Sequence, residues 1–247
     1  MKEPVARALA TVRHPEFRRG AREMLGISTG LAAWALVTGM TMGKSGLGVP
    51  LSVAMSLLVF AGSSQLAALP LIAHGAPIWV VWATAACVNL RFVIFSAQWR
   101  SYFGHFSRRR RLAMMYFMAD LNYVMFMHRF PEPKPAPEQA PYLWGGVAVN
   151  WTAWQGPSLL GIFLADSIPE RWGIGFAGTL ALIGLTCSLL VDRATLAAAA
   201  VAGCAAVAAY ALPLKLNILV AIASAVAAGI LIDRTTVRPV KPGPDIP

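Results

Sequence analysis

The most prominent feature of the sequence is a series of long apolar runs that contain no charged residue. Asp, Glu, Lys and Arg are absent from Met24–Gly43, Ser45–Leu90, Gln139–Ala165, Trp172–Val191, Ala194–Leu214 and Leu216–Ile232. A helix that crosses a bilayer needs about 20 apolar residues, so the second run is long enough for two helices. A further segment, Leu112 to His128, is interrupted by Asp120 alone. The pattern predicts an all-α, polytopic membrane protein with up to eight apolar segments.

Composition supports this prediction. Of 247 residues, 57% are hydrophobic and 13% charged, whereas about 25% are charged in soluble domains. The net charge of +10 could indicate nucleic-acid binding, but the basic residues lie mainly in the ends and loops between apolar runs, where they orient a membrane protein. Cys87, Cys187 and Cys204 lie inside apolar segments without metal-ligand spacing. We therefore expect no nucleic-acid partner, no metal and no cofactor.

The charge distribution also predicts domain boundaries. Residues 1–23 form a basic N-terminal segment, residues 24–232 a single transmembrane domain, and residues 233–247 a basic, Pro-rich tail. No cleavable signal sequence stands out. The positive-inside rule places both ends in the cytoplasm, which predicts a multi-pass protein of the bacterial plasma membrane.

The basic cluster Arg108 to Arg111 is expected on the cytoplasmic side as well. Three full crossings before it would place it outside, so one segment before it must not cross. The best candidate is the second segment, because Gly62, Ser63, Ser64 and Gln65 interrupt it. Glycine permits an unwound backbone, and the polar side chains can satisfy the freed backbone groups. We expect a broken or re-entrant helix here.

A similar interruption follows the Pro-rich loop Pro131 to Pro141. The fifth segment contains Asn150, Trp151, Thr152, Gln155, Gly156 and Pro157. If both interrupted segments turn back, about six helices cross fully. The basic clusters then lie inside, and the isolated residues Lys44, Lys134, Arg171 and Lys215 lie outside. Alternatively, these Gly, Ser and Pro residues serve helix packing, as they often do in membranes.

Arg91 and Asp120 are charges at positions that should be buried in the membrane. A mid-membrane Arg costs about 2.5–3.5 kcal/mol unless it faces protein or water. Asp120 lies at the centre of the fourth segment and should be paired or protonated. The two residues can form a structural salt bridge, handle substrate or protons, or do both.

A zwitterionic amino acid would need both an anion site and a cation site. Arg91, or the backbone N–H groups near Ser63 and Ser64, could bind the carboxylate, and Asp120 the ammonium. Gln65 and Asn89 would add neutral hydrogen bonds. Alternatively, Asp120 is a proton carrier. Trp151 and Trp154 either line a pocket or pack in the core, and core packing is favoured.

Two stretches resemble motifs of the AzlC family of branched-chain amino-acid exporters. Met55 to Gln65 resembles the signature S-L-L-V-F-A-G-A-S-Q, and Val88 to Ala97 resembles V-N-L-R-H-x-L-Y-S-A. Asp120 matches the Asp of a D-E-S-F-like motif. Departures include Phe92 for His, Phe95 for Tyr, Leu121 for Glu, Asn122 and Tyr123 for Ser and Phe, Ala33-Trp34-Ala35 for Pro-Phe-Gly, and Gly175 for Asp.

The resemblance implies export of branched-chain or similar amino acids, together with a small membrane subunit of the AzlD type. The chain contains no G-x-x-x-x-G-K-[ST] motif, so we expect coupling to an ion or proton gradient. A membrane assembly or anchoring subunit without transport activity is the alternative. We do not expect an enzyme, because H-E-x-x-H and paired carboxylates on one segment are both missing.

Overall fold

The structure is a computed structural model that describes residues 9–167, 183, 193–212 and 216–236. The helices are α1 (Pro15–Gly43), α2 (Val49–Val59), α3 (Gly62–Ala73), α4 (Ile78–Val88), α5 (Leu90–Phe103), α6 (Arg108–Tyr116), α7 (Asp120–Arg129), α8 (Gln139–Leu164), α9 (Arg193–Ala208) and α10 (Leu216–Thr236). A 3-10 turn, Ala165–Ser167, follows α8. This part of the chain contains no strand, which confirms the all-α prediction.

Helix lengths differ from the predicted series of full spans. Among the described residues, α1 is the one helix that is both long and apolar enough to cross a membrane by itself. A second span results if α4 and α5, which are bent by 43° relative to each other, are counted together. The segment Trp172–Val191 lies outside the described residues, apart from Ile183. The number of crossings and the predicted domain boundaries therefore stay predictions.

α1 and α8 form the central scaffold and run parallel to each other. Gly20, near the start of α1, lies against Tyr142 near the start of α8, and Gly39 lies against Ser158 near both ends. A Cβ atom at either glycine would overlap the partner's backbone. Small residues allow this close approach, which is typical of helix pairs in membranes. We call the end where α1 begins the N-terminal end of the bundle and the end at Gly43 the far end.

α2 and α3 form a helical hairpin, which we call the first hairpin. The start of α2 and the end of α3 both lie toward the far end. The hydroxyl of Ser52 in α2 donates to the Met42 carbonyl at 3.1 Å. After the break at residues 60 and 61, α3 turns back, so that Leu66 and Leu69 pack with Met42 and Ile162. The structure thus breaks the second segment where the sequence predicts it, and α3 returns to the side from which α2 came.

α4 and α5 together connect the far end to the N-terminal end. α4 packs beside α3 at the far end, where Val80 and Val81 contact Leu71. The chain bends at Asn89 between the two helices. At the other end of α5, the Tyr102 hydroxyl donates to the Phe130 carbonyl at 2.9 Å.

α6 and α7 form a second hairpin, which enters from the N-terminal end. Arg129 at the end of α7 pairs with Glu16 at the start of α1, 3.3 Å apart. At the turn of the hairpin, the Tyr116 hydroxyl donates to the Leu57 carbonyl in α2, and the rings of Tyr116 and Phe60 lie 6.3 Å apart. The fourth segment is therefore not one helix. The two hairpins open at opposite ends of the bundle and their turns meet inside it.

The prediction of a break within residues 150–157 is wrong. α8 is one continuous helix of 26 residues with Pro157 inside it. Its polar side chains contact α2 instead of compensating for an unwound backbone. The Ser56 hydroxyl donates to Gln155 Oε1 at 2.8 Å and lies 3.0 Å from Ser158 Oγ, and Gln155 Nε2 donates to the Ser56 carbonyl at 3.0 Å.

The predicted placement of Lys134 on the opposite side from the N-terminal segment is also wrong. One cavity at the N-terminal end is lined by His14, His105 and Ala136 together. Because α1 and α8 are parallel, the Pro-rich loop that precedes α8 must lie at the end where α1 begins. Arg171 and Lys215 lie outside the described residues. Towards the C-terminus, α9 and α10 pack against each other, and α10 also contacts α4.

Candidate functional site

Three helices begin at the centre of the bundle, and the first of them is α3. α2 ends at Val59, and Phe60 follows with φ 43° and ψ 42°, the left-handed conformation that often terminates a helix. Ala61 is not helical, with φ −144° and ψ 85°, and α3 begins at Gly62. The ring of Trp154 lies so close to Gly62 that a Cβ atom there would overlap it. Glycine at this position therefore lets the hairpin turn pack directly on α8.

α5 is the second helix that begins here. The N–H of Asn89 donates to the carbonyls of Ala85 and Ala86 at 3.1 Å and ends α4. Arg91 is the second residue of α5, so its side chain projects from the start of a helix. Asn89 lies between the last residue of α4 and the first residue of α5, so the guanidinium of Arg91 lies at the bend between the two helices.

α7 is the third helix, and Asp120 is its first residue. Ala119 before it is extended, with φ −121° and ψ 165°. The carboxylate therefore lies at a helix N-terminus, where the backbone dipole stabilises a negative charge by about 0.3–1 kcal/mol. The predicted difficulty of an acidic residue in mid-helix is relieved by the break at residues 117–119.

The side chains at the three helix starts contact one another. Arg91 Nη2 lies 3.1 Å from Asp120 Oδ2 and donates to the hydroxyl of Ser63 at 2.9 Å. Ser63 is the second residue of α3, so one guanidinium links α3, α5 and α7. The predicted pairing of Arg91 with Asp120 is thus present in the structure.

These side chains line a central cavity of about 560 Å³. Its polar wall consists of Ser63, Arg91, Asp120 and Asn150. The remaining wall is mainly apolar and includes Ile27, Leu31, Trp34, Phe92, Phe95 and Trp154. A cavity with a few convergent polar groups and an otherwise apolar lining is typical of a small-molecule site.

Several lining residues carry buried polar atoms without a hydrogen-bond partner in the described part of the chain. They are Trp34 Nε1, Arg91 Nε, Asn150 Oδ1 and Trp154 Nε1. Asn150 is 1% exposed and Trp154 4% exposed. Because an unpaired buried polar group is costly, each of these atoms is a candidate contact for a bound polar molecule. Three of them donate and one accepts.

The other predicted site residues lie beside the cavity. The Ser64 hydroxyl donates to Asn89 Oδ1 at 2.9 Å and so ties the start of α3 to the bend before α5. Gln65 is fully buried and donates to the Met55 carbonyl at 3.1 Å, which joins the two arms of the first hairpin. Ser64, Gln65 and Asn89 therefore brace the residues that line the cavity.

Trp34 and Asn150 line the cavity but are not among the site residues that the sequence predicts. Trp34 stacks edge-on against Trp154, with ring centroids 5.5 Å apart, and Trp154 lines the cavity, although its sequence pattern favoured core packing. Trp34 belongs to the Ala33-Trp34-Ala35 stretch that replaces Pro-Phe-Gly of the family motif. This departure was the sequence signal that could have identified Trp34 as a site residue. Asn150 was assigned to a helix break, and a polar residue within an apolar α8 equally fits a cavity wall.

Similarity to known proteins is found at the level of the family. Residues 26–168 match a family model described as AzlC protein. No match was found among curated proteins or among solved structures. The matched region contains every residue that lines the central cavity, whereas α9 and α10 lie beyond it.

Proposed function

The chain belongs to the AzlC family, and we propose that it is a secondary transporter that exports branched-chain or similar small amino acids across a bacterial plasma membrane. The observation that carries this proposal is the pairing of Arg91 with Asp120 at the starts of three helices around a largely apolar cavity. Opposite charges at one end of an apolar pocket fit a zwitterion that carries an aliphatic side chain.

The amino-acid carboxylate binds Arg91 in this proposal. The Nε of Arg91 is buried and unpaired, and the indole Nε1 atoms of Trp34 and Trp154 are further unpaired donors in the same wall. The N-terminus of α3 at Gly62 and Ser63 adds a positive dipole. Half-helix N-termini that face a substrate carboxylate are a recurrent arrangement in membrane transporters.

The ammonium group binds Asp120 and Asn150. Asp120 supplies a carboxylate, and Oδ1 of Asn150 is a buried acceptor without a partner among the described residues. The aliphatic side chain then lies among Ile27, Leu31 and Phe92. The substrate ammonium would compete with Arg91 for the carboxylate of Asp120. Asp120 can therefore alternate between Arg91 and the substrate, or take up a proton when neither is bound to it.

Two further features belong to the proposal. The absence of a nucleotide-binding motif from the sequence favours coupling to an ion or proton gradient. A small membrane subunit of the AzlD type is the expected partner, as the family resemblance implies. The two hairpins, which open at opposite ends of the bundle and meet at Tyr116 and Leu57, would form the barriers on the two sides of the substrate site.

Efflux from cells tests this function. Cells preloaded with labelled valine, leucine, isoleucine or methionine are followed with and without the chain, alone and together with candidate small subunits. We expect faster loss of at least one of these amino acids when the chain is present. Unchanged efflux of all four, from cells that contain the protein and each candidate subunit in the membrane, would overturn the proposal. Recovery of a candidate small subunit together with the chain, without efflux of any of the four amino acids, would favour an assembly subunit.

A further inference from the structure

A second cavity lies between α5 and α6, toward the N-terminal end of the bundle, and we call it the basic groove. Its volume is about 800 Å³. Trp99, Phe103 and Met114 line it and are buried. Val93 and Leu112 also line it and are 65% and 60% exposed. The groove therefore joins the apolar outer surface of the bundle.

Three arginines, Arg100, Arg108 and Arg111, line the same groove. Within the described part of the chain, their side chains make neither an ion pair nor a hydrogen bond. The sequence offers no nearby partner, because no Asp or Glu occurs between Glu23 and Asp120. The groove consequently combines an apolar wall with three positive charges that lack a counter-charge.

Two buried donors in the groove are also without a partner. Trp99 is 3% exposed, and its Nε1 has no acceptor among the described residues. Nε of Arg111 is likewise buried and unpaired. Unpaired buried donors are costly, and a phosphate or an ester carbonyl would satisfy both of them.

From these features we propose that the basic groove binds an anionic phospholipid of the cytoplasmic leaflet. The phosphate contacts Arg100, Arg108 and Arg111, and an acyl chain lies along Val93 and Leu112. A soluble anion would match the arginines but not the exposed apolar wall, whereas an anionic lipid matches both. Basic pockets between membrane helices on the cytoplasmic side bind anionic headgroups by the same physics. This inference rests on the proposed membrane location and is independent of the transported substrate.

Native mass spectrometry of the detergent-purified full chain tests the proposal. The protein is titrated with phosphatidylglycerol and, in parallel, with phosphatidylethanolamine. We expect the wild type to bind phosphatidylglycerol at least about tenfold more tightly, and the double variant Arg100→Gln/Arg111→Gln to lose most of this preference. Arg109→Gln is the matched control, because Arg109 lies on the same helix, carries the same charge and is exposed but does not line the groove.

A second variant tests the apolar part of the groove. Ala97 is exposed and lines it, so Ala97→Trp should weaken phosphatidylglycerol binding several-fold without any change of charge. If the double variant is not monodisperse, the comparison of phosphatidylglycerol binding by Ala97→Trp and by Arg109→Gln tests the proposal instead. Equal binding of the two lipids by the wild type, or equal losses in Arg109→Gln and the groove variants, would overturn the proposal. Leucine binding by the wild type, measured in the same preparation, distinguishes this failure from failure of the transport proposal.

Discussion

Arg91 and Asp120 form an ion pair of 3.1 Å between two helices that both begin in the interior of the bundle. The same guanidinium donates to Ser63 at the start of a third helix. One side chain thus holds together the turn of the first hairpin, the bend between α4 and α5, and the turn of the second hairpin. A pair in this place has both a structural and a functional consequence, because any substrate that binds Arg91 or Asp120 changes how the hairpins are held.

Two substitutions of Arg91 test its role in substrate binding: Arg91→Lys keeps the positive charge, and Arg91→Gln removes it. In Arg91→Lys the charge remains, but lysine lacks the buried, unpaired Nε–H that the proposal gives to the substrate carboxylate. We expect leucine affinity to fall about tenfold in Arg91→Lys and by more in Arg91→Gln. Isothermal titration calorimetry of the purified protein measures it. Arg109→Gln is the control, and equal affinities of wild type and Arg91→Gln would exclude Arg91 from the site.

The fold predicts which loops share a side of the membrane. In a variant whose native cysteines are replaced by alanine, Ser107→Cys and Ala136→Cys should react with an impermeant maleimide from the same side, because His14, His105 and Ala136 line one cavity. His74→Cys, in the turn between α3 and α4, should react from the opposite side. Labelling of Ala136→Cys and His74→Cys from the same side of the membrane would contradict the parallel arrangement of α1 and α8.

Close contact between α1 and α8 predicts opposite effects of one substitution at two glycines. In Gly39→Ala the new methyl group meets the backbone of Ser158, and we expect destabilisation by about 1–3 kcal/mol. In Gly26→Ala the methyl group meets nothing within 4 Å, and we expect stabilisation by about 0.5–1 kcal/mol. Unfolding in mixed detergent micelles measures both, and membrane fractionation checks that both variants insert. Equal effects of the two substitutions would contradict the close approach of these helices at Gly39.

The left-handed backbone at Phe60 predicts that glycine is more stable than alanine at this position, the reverse of the order inside a helix. Phe60→Gly and Phe60→Ala both remove the ring that contacts Tyr116, but glycine adopts φ 43° without strain. We expect Phe60→Gly to be more stable than Phe60→Ala by about 1 kcal/mol. At Leu58, inside α2, the order should be reversed, because glycine weakens a helix interior. The same order at both positions would show that Phe60 is not in the left-handed conformation.

The sequence predicted part of this architecture and missed the rest for identifiable reasons. The break at Phe60 was predictable because Gly62 and three polar residues interrupt an apolar run. The bend at Asn89 and the break before Asp120 contain no Gly or Pro, so the third and fourth segments looked like ordinary spans.

The prediction for α8 was wrong for a different reason. Gln155 resembles a helix interruption in sequence, but in the structure its amide is hydrogen-bonded to Ser56 on another helix. Periodicity and composition do not reveal such a partner. The ion pair of Arg91 and Asp120 was predictable, since two costly charges in neighbouring apolar segments have few other partners.

The most direct test of the central claim is counterflow of labelled leucine into proteoliposomes that contain the purified chain together with the proposed small subunit. Wild-type protein should accumulate label against preloaded leucine. Asp120→Asn should insert normally but lose most of this accumulation, because the amide has no charge for the substrate ammonium or for Arg91. Equal counterflow by wild type and Asp120→Asn would contradict the assignment of the Arg91 and Asp120 cavity as the transport site.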